Sequence, residues 1–388
     1  MLNVILNKGE EDNELNGYPW FFNNEINSFD GLIENGKIVK VLSFDRKFVA
    51  YGFLNTSSKI LVRVVSLDEN EVIDYNFFKR KIHEAIAHRE NLAFNDSNCY
   101  RLIFSEADFI PGLVVDKYGE YLCIQISCLG LDMIKDDIIK ILVEETGCKG
   151  IYERSDIPSR IKEGLEEFKG IVYGEFNPRV EVMENGIRFM VDMENGQKTG
   201  YFLDQKLNRD NIKYYCKGKS VLDCFSNVGG FALNAAKNGA LEVDALDISK
   251  LACDEIAYNA KLNGFDNINV ICADTFDFLR NDKKMYDTIV LDPPAFTKSK
   301  DTIKKAYKGY REINIQALKK IKKGGYLLTF SCSQHMTPEL FFEMVGEAAM
   351  HAKRSVRLVD FRIQAPDHPA LLQSESELYL KCLILRVM

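Results

Sequence analysis

Residues 220–231 read Ser220-Val221-Leu222-Asp223-Cys224-Phe225-Ser226-Asn227-Val228-Gly229-Gly230-Phe231. An apolar, β-branched run ends in an acid. A loop with paired glycines follows, and then the helix-forming run Phe231–Lys237. That order predicts a strand, a tight turn and a helix. The fingerprint G-x-G-x-x-G is absent, so a dinucleotide loses its main support. Asp223 closes the strand, and Gly229 and Gly230 let the chain turn closely beside a ligand, with Phe225, Ser226 and Asn227 filling the loop.

Outward from this stretch the same texture repeats. Strands are predicted at Glu242–Asp247, Asn269–Ala273, Thr288–Asp292 and Tyr326–Phe330, with helical segments between them. Two more, Val356–Arg362 and Leu378–Val387, close the chain. Strand, loop and helix in alternation define an α/β, doubly wound sheet. Asp247, followed by Ile248 and Ser249, ends the second strand, where a carboxylate can accept hydrogen bonds from ribose hydroxyls. Asp274, followed by Thr275, ends the third, near where an adenine edge would lie. Any one of these acids could be a helix cap. Three at three consecutive strand ends instead fit a nucleoside cofactor without a pyrophosphate, such as S-adenosylmethionine.

Two further strand ends carry chemistry. The fourth runs into Asp292-Pro293-Pro294-Ala295-Phe296 and the fifth into Ser331-Cys332-Ser333. Adjacent prolines stiffen a loop and present carbonyls rather than donors. With Asp292 they can grip the amino edge of a pyrimidine or adenine base. Carbon 5 of cytosine is too weakly nucleophilic to take a methyl group unaided. A thiolate adding to carbon 6 makes an enamine that can, and loss of the carbon 5 proton then expels the thiolate. Cys332 is the expected nucleophile; most of the other nine cysteines read as small buried hydrophobes. Free Cys has a pKa of roughly 8.5, so such a site must favour the thiolate.

Immediately after the Pro-Pro loop, residues 298–323 hold ten basic residues against two acidic ones, in a chain whose net charge is −7. Lys298, Lys300, Lys304, Lys305, Lys308 and Arg311 lie nearest the loop, with Tyr307 and Tyr310 interleaved. A solvated helix face is the bland reading; the position beside the chemistry favours a phosphate track for RNA.

Upstream, residues 1 to about 68 read as all-β. The runs Lys37–Phe44, Phe48–Leu54 and Ile60–Leu67 suggest a small barrel. A helix is expected over Asn76–Asn91. Strands follow at Tyr100–Phe104, Leu113–Asp116, Tyr121–Ser127 and Gly150–Glu153, with a helix over Asp132–Thr146, giving an α+β region. Asn185-Gly186 between alternating runs signals a hairpin. The chain has 388 residues, enough for two or three domains, with 46% apolar and 28% charged residues, which excludes wholesale disorder. Ten scattered cysteines without a C-x-x-C pair, and only five histidines, argue against a disulfide framework and against a zinc site; no metal is expected. No apolar run reaches membrane-spanning length, and Met1–Glu14 has no signal pattern, so a soluble, cytoplasmic protein is expected.

These motifs together resemble the RlmI-like bacterial methyltransferases that form 5-methylcytosine in 23S rRNA. The resemblance rests on Tyr18-Pro19-Trp20, Arg101-Leu102-Ile103, Pro111-Gly112, Tyr152–Asp156, Lys198–Gln205, Asp223–Phe231, Asp292-Pro293-Pro294, Thr329–Ser333, Asp367-His368-Pro369 and Leu378–Lys381. It implies an N-terminal PUA barrel over 1–70, a central α+β domain over 71–178, and a Rossmann-like class I methyltransferase domain over 179–388. That last domain would open with the hairpin and contain a seven-stranded mixed sheet whose final strand is antiparallel. The resemblance further implies S-adenosylmethionine as cofactor, 23S rRNA or an assembling large subunit as partner, and a homodimer. Tyr201, Asp204 and Gln205 would lie near the methionine end of the cofactor, beside Asp292 and Pro293, with Pro294 toward the RNA. Cys332 would be the nucleophile. Ala295 stands where relatives commonly have Lys, and the Asp292–Phe296 loop lacks the second cysteine of the two-cysteine class. The alternatives are an exocyclic-amine (adenine N6) methyltransferase and a non-catalytic rRNA-binding assembly factor.

Overall fold

The computed structural model describes residues 1–11, 18–92, 94, 96–297, 300–372 and 378–388. The chain divides into two compact units. One comprises Met1–Val182, Val191–Leu203 and Pro366–Glu375; the other comprises Met183–Met190, Asp204–Ala365 and Ser376–Met388.

The first unit begins with β1 (Asn3–Leu6), β2 (Trp20–Phe22), β3 (Ile26–Asp30), β4 (Ile38–Leu42), β5 (Phe48–Leu54) and β6 (Ile60–Ser66). They form one sheet in the order β2-β6-β5-β4-β1-β3, around Val4, Leu6, Val41, Leu54 and Val62. A second sheet, β7 (Cys99–Phe104), β8 (Leu113–Tyr118), β9 (Tyr121–Ile126), β10 (Gly150–Ser155) and β11 (Phe168–Tyr173), runs in the order β11-β10-β9-β8-β7. Helices α1 (Tyr75–Glu90) and α2 (Lys135–Thr146) bury Phe78, Ile82, Ile138 and Ile141 with this sheet's apolar residues. Asp74 starts α1 by accepting the Phe77 N–H, as an N-cap does. The two sheets are tied by partly buried Arg63, which pairs with Glu106 at 2.9 Å and Glu163 at 3.0 Å.

The hairpin β12 (Arg179–Glu184) and β13 (Ile187–Asp192) turns at Asn185 (φ 53°) and Gly186 (φ 68°). Two positive φ angles are what a two-residue turn matched to strand twist requires. Its tip belongs to the second unit, where Asn259 and Asn263 take the N–H groups of Met190 and Arg188.

The second unit is built on β14 (Ser220–Cys224), β15 (Glu242–Asp247), β16 (Ile268–Cys272), β17 (Tyr286–Leu291), β18 (Ile321–Ser331), β19 (Val356–Arg362) and β20 (Lys381–Val387). The order is β16-β15-β14-β17-β18-β20-β19. The first five strands are parallel, and β20 runs antiparallel to both β18 and β19. Alternate side chains go to opposite faces. Val221, Val243, Val290 and Leu328 pack with Ala232, Ala235 and Ile256 of helices α3 (Gly230–Lys237) and α4 (Lys250–Leu262). Leu222, Leu246, Ile289 and Leu327 pack with residues of α5 (Thr275–Asn281), α6 (Ile303–Lys320) and α7 (Pro338–His351). A parallel sheet covered on both faces opens a crevice where the strand order reverses. Here that point lies between β14 and β17, which end at Cys224 and Leu291, paired in register.

The expected fold class, an α/β methyltransferase sheet with a small N-terminal β-domain, is therefore what the chain adopts. Strand β11 was not foreseen, and β18 starts at Ile321 rather than Tyr326.

Candidate active site

Asp223, one residue before the end of β14, is 1% exposed. Its Oδ2 accepts from the Ser226 hydroxyl at 2.5 Å and the Ala232 N–H at 3.0 Å. Its Oδ1 is buried and has no hydrogen-bond partner among the described residues. The loop between carries left-handed residues at Phe225 (φ 63°), Asn227 (φ 54°) and Gly229 (φ 89°). At Gly229 the left-handed backbone favours glycine, and a Cβ there would also press on the Leu233 side chain.

The second acid joins this loop. Asp247 accepts the Asn227 N–H at 2.9 Å on one oxygen and the Ser249 N–H at 2.9 Å on the other. Ser249 then caps α4, and Ile248 between them is largely exposed. The third acid, Asp274, is the N-cap of α5, accepting from Asp277 N–H at 3.0 Å, with Thr275 buried behind it. At Asp274 the capping role is thus present.

Across the crevice, Asp292 follows β17. Gln205 Nε2 donates to its two oxygens at 3.0 and 3.1 Å, and Asn208 fixes the same amide by donating to Gln205 Oε1 at 2.8 Å. Asp204, 4% exposed, accepts the Tyr379 hydroxyl at 2.6 Å. Burial, with Asp204 and Asp223 adding negative charge nearby, pushes the Asp292 carboxyl up to about 7 against the opposing effects of Arg209 and Gln205. Burial likewise pushes Asp223 up to about 7, although the Ser226 and Ala232 hydrogen bonds work the other way. Arg209 is held by Glu184 at 2.7 and 2.9 Å, both residues buried. Tyr201 is buried in the first unit, whereas Asp204 and Gln205 begin the second.

Beyond Asp292, Pro293 is buried and Pro294 exposed. The Cys332 thiol, just past the end of β18, contacts the Pro293 carbonyl at 3.9 Å, and the Ser333 hydroxyl donates to the Thr297 carbonyl at 3.1 Å. Eight of the ten cysteines are buried, Cys272 is exposed, and Cys332 is partly exposed. From the other side Lys381 Nζ, 1% exposed, donates to the Ser333 carbonyl at 2.6 Å and the Tyr379 carbonyl at 2.8 Å. Reading the sequence for function gave Lys381, Asn208 and Tyr379 no role. A charged residue inside the apolar run Leu380-Lys381-Cys382-Leu383-Ile384 was the signal for the first of them.

The basic segment divides. Lys304, Lys305 and Lys308 on α6 are exposed and form no ion pair among the described residues. Arg311 pairs with Glu347 at 2.9 Å, Lys322 with Asp287 at 3.0 Å, and buried Lys320 with Asp282 at 3.6 Å. Lys300 opens a single 3-10 turn, and Lys298 lies outside the described residues.

Residues 169–386 match the family of S-adenosylmethionine-dependent methyltransferases, and residues 4–67 match a PUA-like domain. The chain is 39% identical over 393 residues to "Ribosomal RNA large subunit methyltransferase I" of Aliivibrio fischeri strain MJ11, covering 100% of this chain and 99% of that one. The chain belongs to this family of S-adenosylmethionine-dependent methyltransferases. Among solved structures, the fold is shared with a protein of Streptococcus mutans assigned to the SAM-dependent methyltransferases (TM-score 0.83, 23% identity, 100% of both chains). It is also shared with a methyltransferase complexed with SAH (TM-score 0.85, 23% identity, 100% of both chains).

The cofactor of this methyltransferase is S-adenosylmethionine, and the residues present suit it. Two carboxyls lifted out of their ordinary range, with an unpartnered carboxylate oxygen in the same crevice, form a site short of positive charge. The cofactor carries two cations, an ammonium and a sulfonium. Among the described residues no helix is long and apolar enough to cross a membrane.

Proposed function

We propose that this chain methylates carbon 5 of a cytosine in the 23S rRNA of the large ribosomal subunit, in the cytoplasm, using Cys332 as a transient nucleophile. The observation that carries the reading is the partly exposed Cys332 thiol at the sheet's carboxyl edge, against the carbonyl of Pro293. The ribosomal substrate is supported by the name of the full-length relatives.

When bound, S-adenosylmethionine supplies an electrophilic methyl group. Asp223, Asp204 and Gln205 would orient its methionine end, and Asp247 its ribose, with Asp274 and Thr275 toward the adenine. Asp292, steadied by Gln205, would hold the cytosine through its amino edge, and the Pro293 and Pro294 carbonyls would limit its tilt. The target base has to leave its stack to reach this depth. Cys332 adds to carbon 6, carbon 5 takes the methyl, and loss of the carbon 5 proton releases the thiolate. Lys304, Lys305 and Lys308 would follow the phosphate backbone.

Adenine N6 enzymes need an aromatic ring after Pro-Pro to stack the base. Here Phe296 packs inward, 4.5 Å from the Tyr310 ring and 6.1 Å from that of Phe276, which speaks against that chemistry. The test is transfer of labelled methyl to unmodified 23S rRNA, followed by nucleoside analysis, with Cys332→Ala in parallel. Wild type is expected to form 5-methylcytosine and the variant none. A methylated adenine, or an active variant, overturns the role given to Cys332.

A further inference from the structure

Lys381 is a charged side chain with almost no exposure, set in the apolar strand β20. Burying an ammonium is expensive unless it is paired and hydrogen-bonded. Register places it opposite Ser331, the residue before Cys332. Its Nζ reaches over to the carbonyl of Ser333, the residue after Cys332, and to that of Tyr379. Lys381 therefore brackets Cys332 from both sides along the chain. The two carbonyls occupy two of the ammonium's three donors.

The titratable groups around the pair come from four elements. Cys332 follows β18, and its negative charge favours the ammonium form of Lys381. Tyr310 reaches in from α6, where burial and the Cys332 charge both hold its hydroxyl protonated. Asp292 heads the Pro-Pro loop, where burial raises its carboxyl and Arg209 works the other way. Cys382 follows Lys381 on β20, and burial keeps its thiol protonated. Arg209 acts on Asp292 and Arg362 on Cys382, whereas Lys381 is the cation whose Nζ reaches the segment that carries Cys332.

Resting on the reading of Cys332 as nucleophile, we propose that Lys381 is a positioning residue that keeps Cys332 in its thiolate form and fixes the Ser331–Ser333 segment against the Asp292–Thr297 loop. The exchange balances without any further reactant. The S–H bond of Cys332 is given up, an N–H bond on Lys381 is formed, and the pair stays neutral overall. Burial pulls the Lys381 amine down to about 8, which brings it into the range where such an exchange with a thiol is close to even.

The test is the pH profile of Cys332 alkylation by iodoacetamide in the intact protein, followed on the Cys332 peptide by mass spectrometry. In wild type, half-maximal reactivity is expected at least one pH unit below the roughly 8.5 of a free thiol. Lys381→Met should move the profile up by a unit or more and slow alkylation at pH 7 about tenfold. Lys381→Arg, which keeps the charge, should restore it. A Met variant with the wild-type profile overturns the proposal. So does a wild-type profile at or above the free-thiol value, which needs no variant to fold. Methyl transfer by Cys332→Ala decides the nucleophile reading separately, because alkylation does not depend on which base is methylated.

Discussion

The side-chain amide of Gln205 spans both oxygens of Asp292, at 3.0 and 3.1 Å, while Asn208 holds its other end at 2.8 Å. Two residues from the start of the second unit thereby set the angle of the acid that would receive the base. Gln205→Leu removes the brace and leaves the carboxylate. A hydrogen bond to a charged group contributes about 1.5–3 kcal/mol, so methyl transfer should fall by about 10- to 100-fold with an unchanged circular dichroism spectrum. Full activity would remove Gln205 from the site.

The raised carboxyls of Asp223 and Asp292 predict opposite pH trends for the free and loaded protein. Both fold with values of about 7 against 3.8 for the ordinary group. Their contribution to the free protein is therefore full below about 4 and is lost as pH rises through 7. A cationic cofactor needs them ionised. The rise in melting temperature caused by S-adenosylmethionine should be larger at pH 8 than at pH 6. An equal rise at both would place the two acids outside the cofactor contact.

Exposed Lys304, Lys305 and Lys308 predict a salt-dependent share of RNA binding. Replacing all three with Ala should lower affinity for an rRNA fragment and flatten the slope of log K against log salt by about 2 to 3, near 0.7–0.9 per contact. Lys322→Ala, whose partner is Asp287, should leave the slope alone. An unchanged slope in the triple variant would make this helix face merely solvated.

Glu184 and Arg209 form a buried pair at 2.7 Å, tying the hairpin tip to the segment that carries Gln205. Removing one partner strands a charge, at about 3–5 kcal/mol. Arg209→Met should lower the urea midpoint by a corresponding amount, and the double variant with Glu184→Met should regain most of it. Equal loss in single and double variants would point to packing rather than charge.

Strands were legible where an apolar or β-branched run ends sharply, whether buried as in Glu242–Asp247 or at the exposed sheet edge as in Val356–Arg362; the Asn185-Gly186 turn also falls where expected. Strand β11 escaped because Lys169-Gly170 interrupts its short run Phe168–Tyr173, which pairs only with β10. The early start of β18 hides behind Lys322-Lys323-Gly324-Gly325, which reads as a loop, and Gly324 does take a positive φ of 85°. In the site, acids at strand ends announce themselves by position. What surrounds them does not. Neither the Gln205–Asp292 brace nor the reach of Lys381 to the Ser333 carbonyl follows any spacing rule, because each joins residues that only the finished fold brings together.

The chain's path has a consequence for the order in which the protein can be finished. Within the first unit, buried Arg89 donates to the Asp367 carbonyl at 3.1 Å, the Arg101 N–H donates to the Asp367 carboxylate at 3.0 Å, and His368 lies 5.3 Å from the Phe104 ring. A unit whose sheets are laid down early in the sequence is thus closed by a residue 266 and 278 positions further along the chain from its two partners. Until then Arg89 has one of its partners missing, and a nascent chain stopped short of Asp367 carries that vacancy whatever the state of the rest.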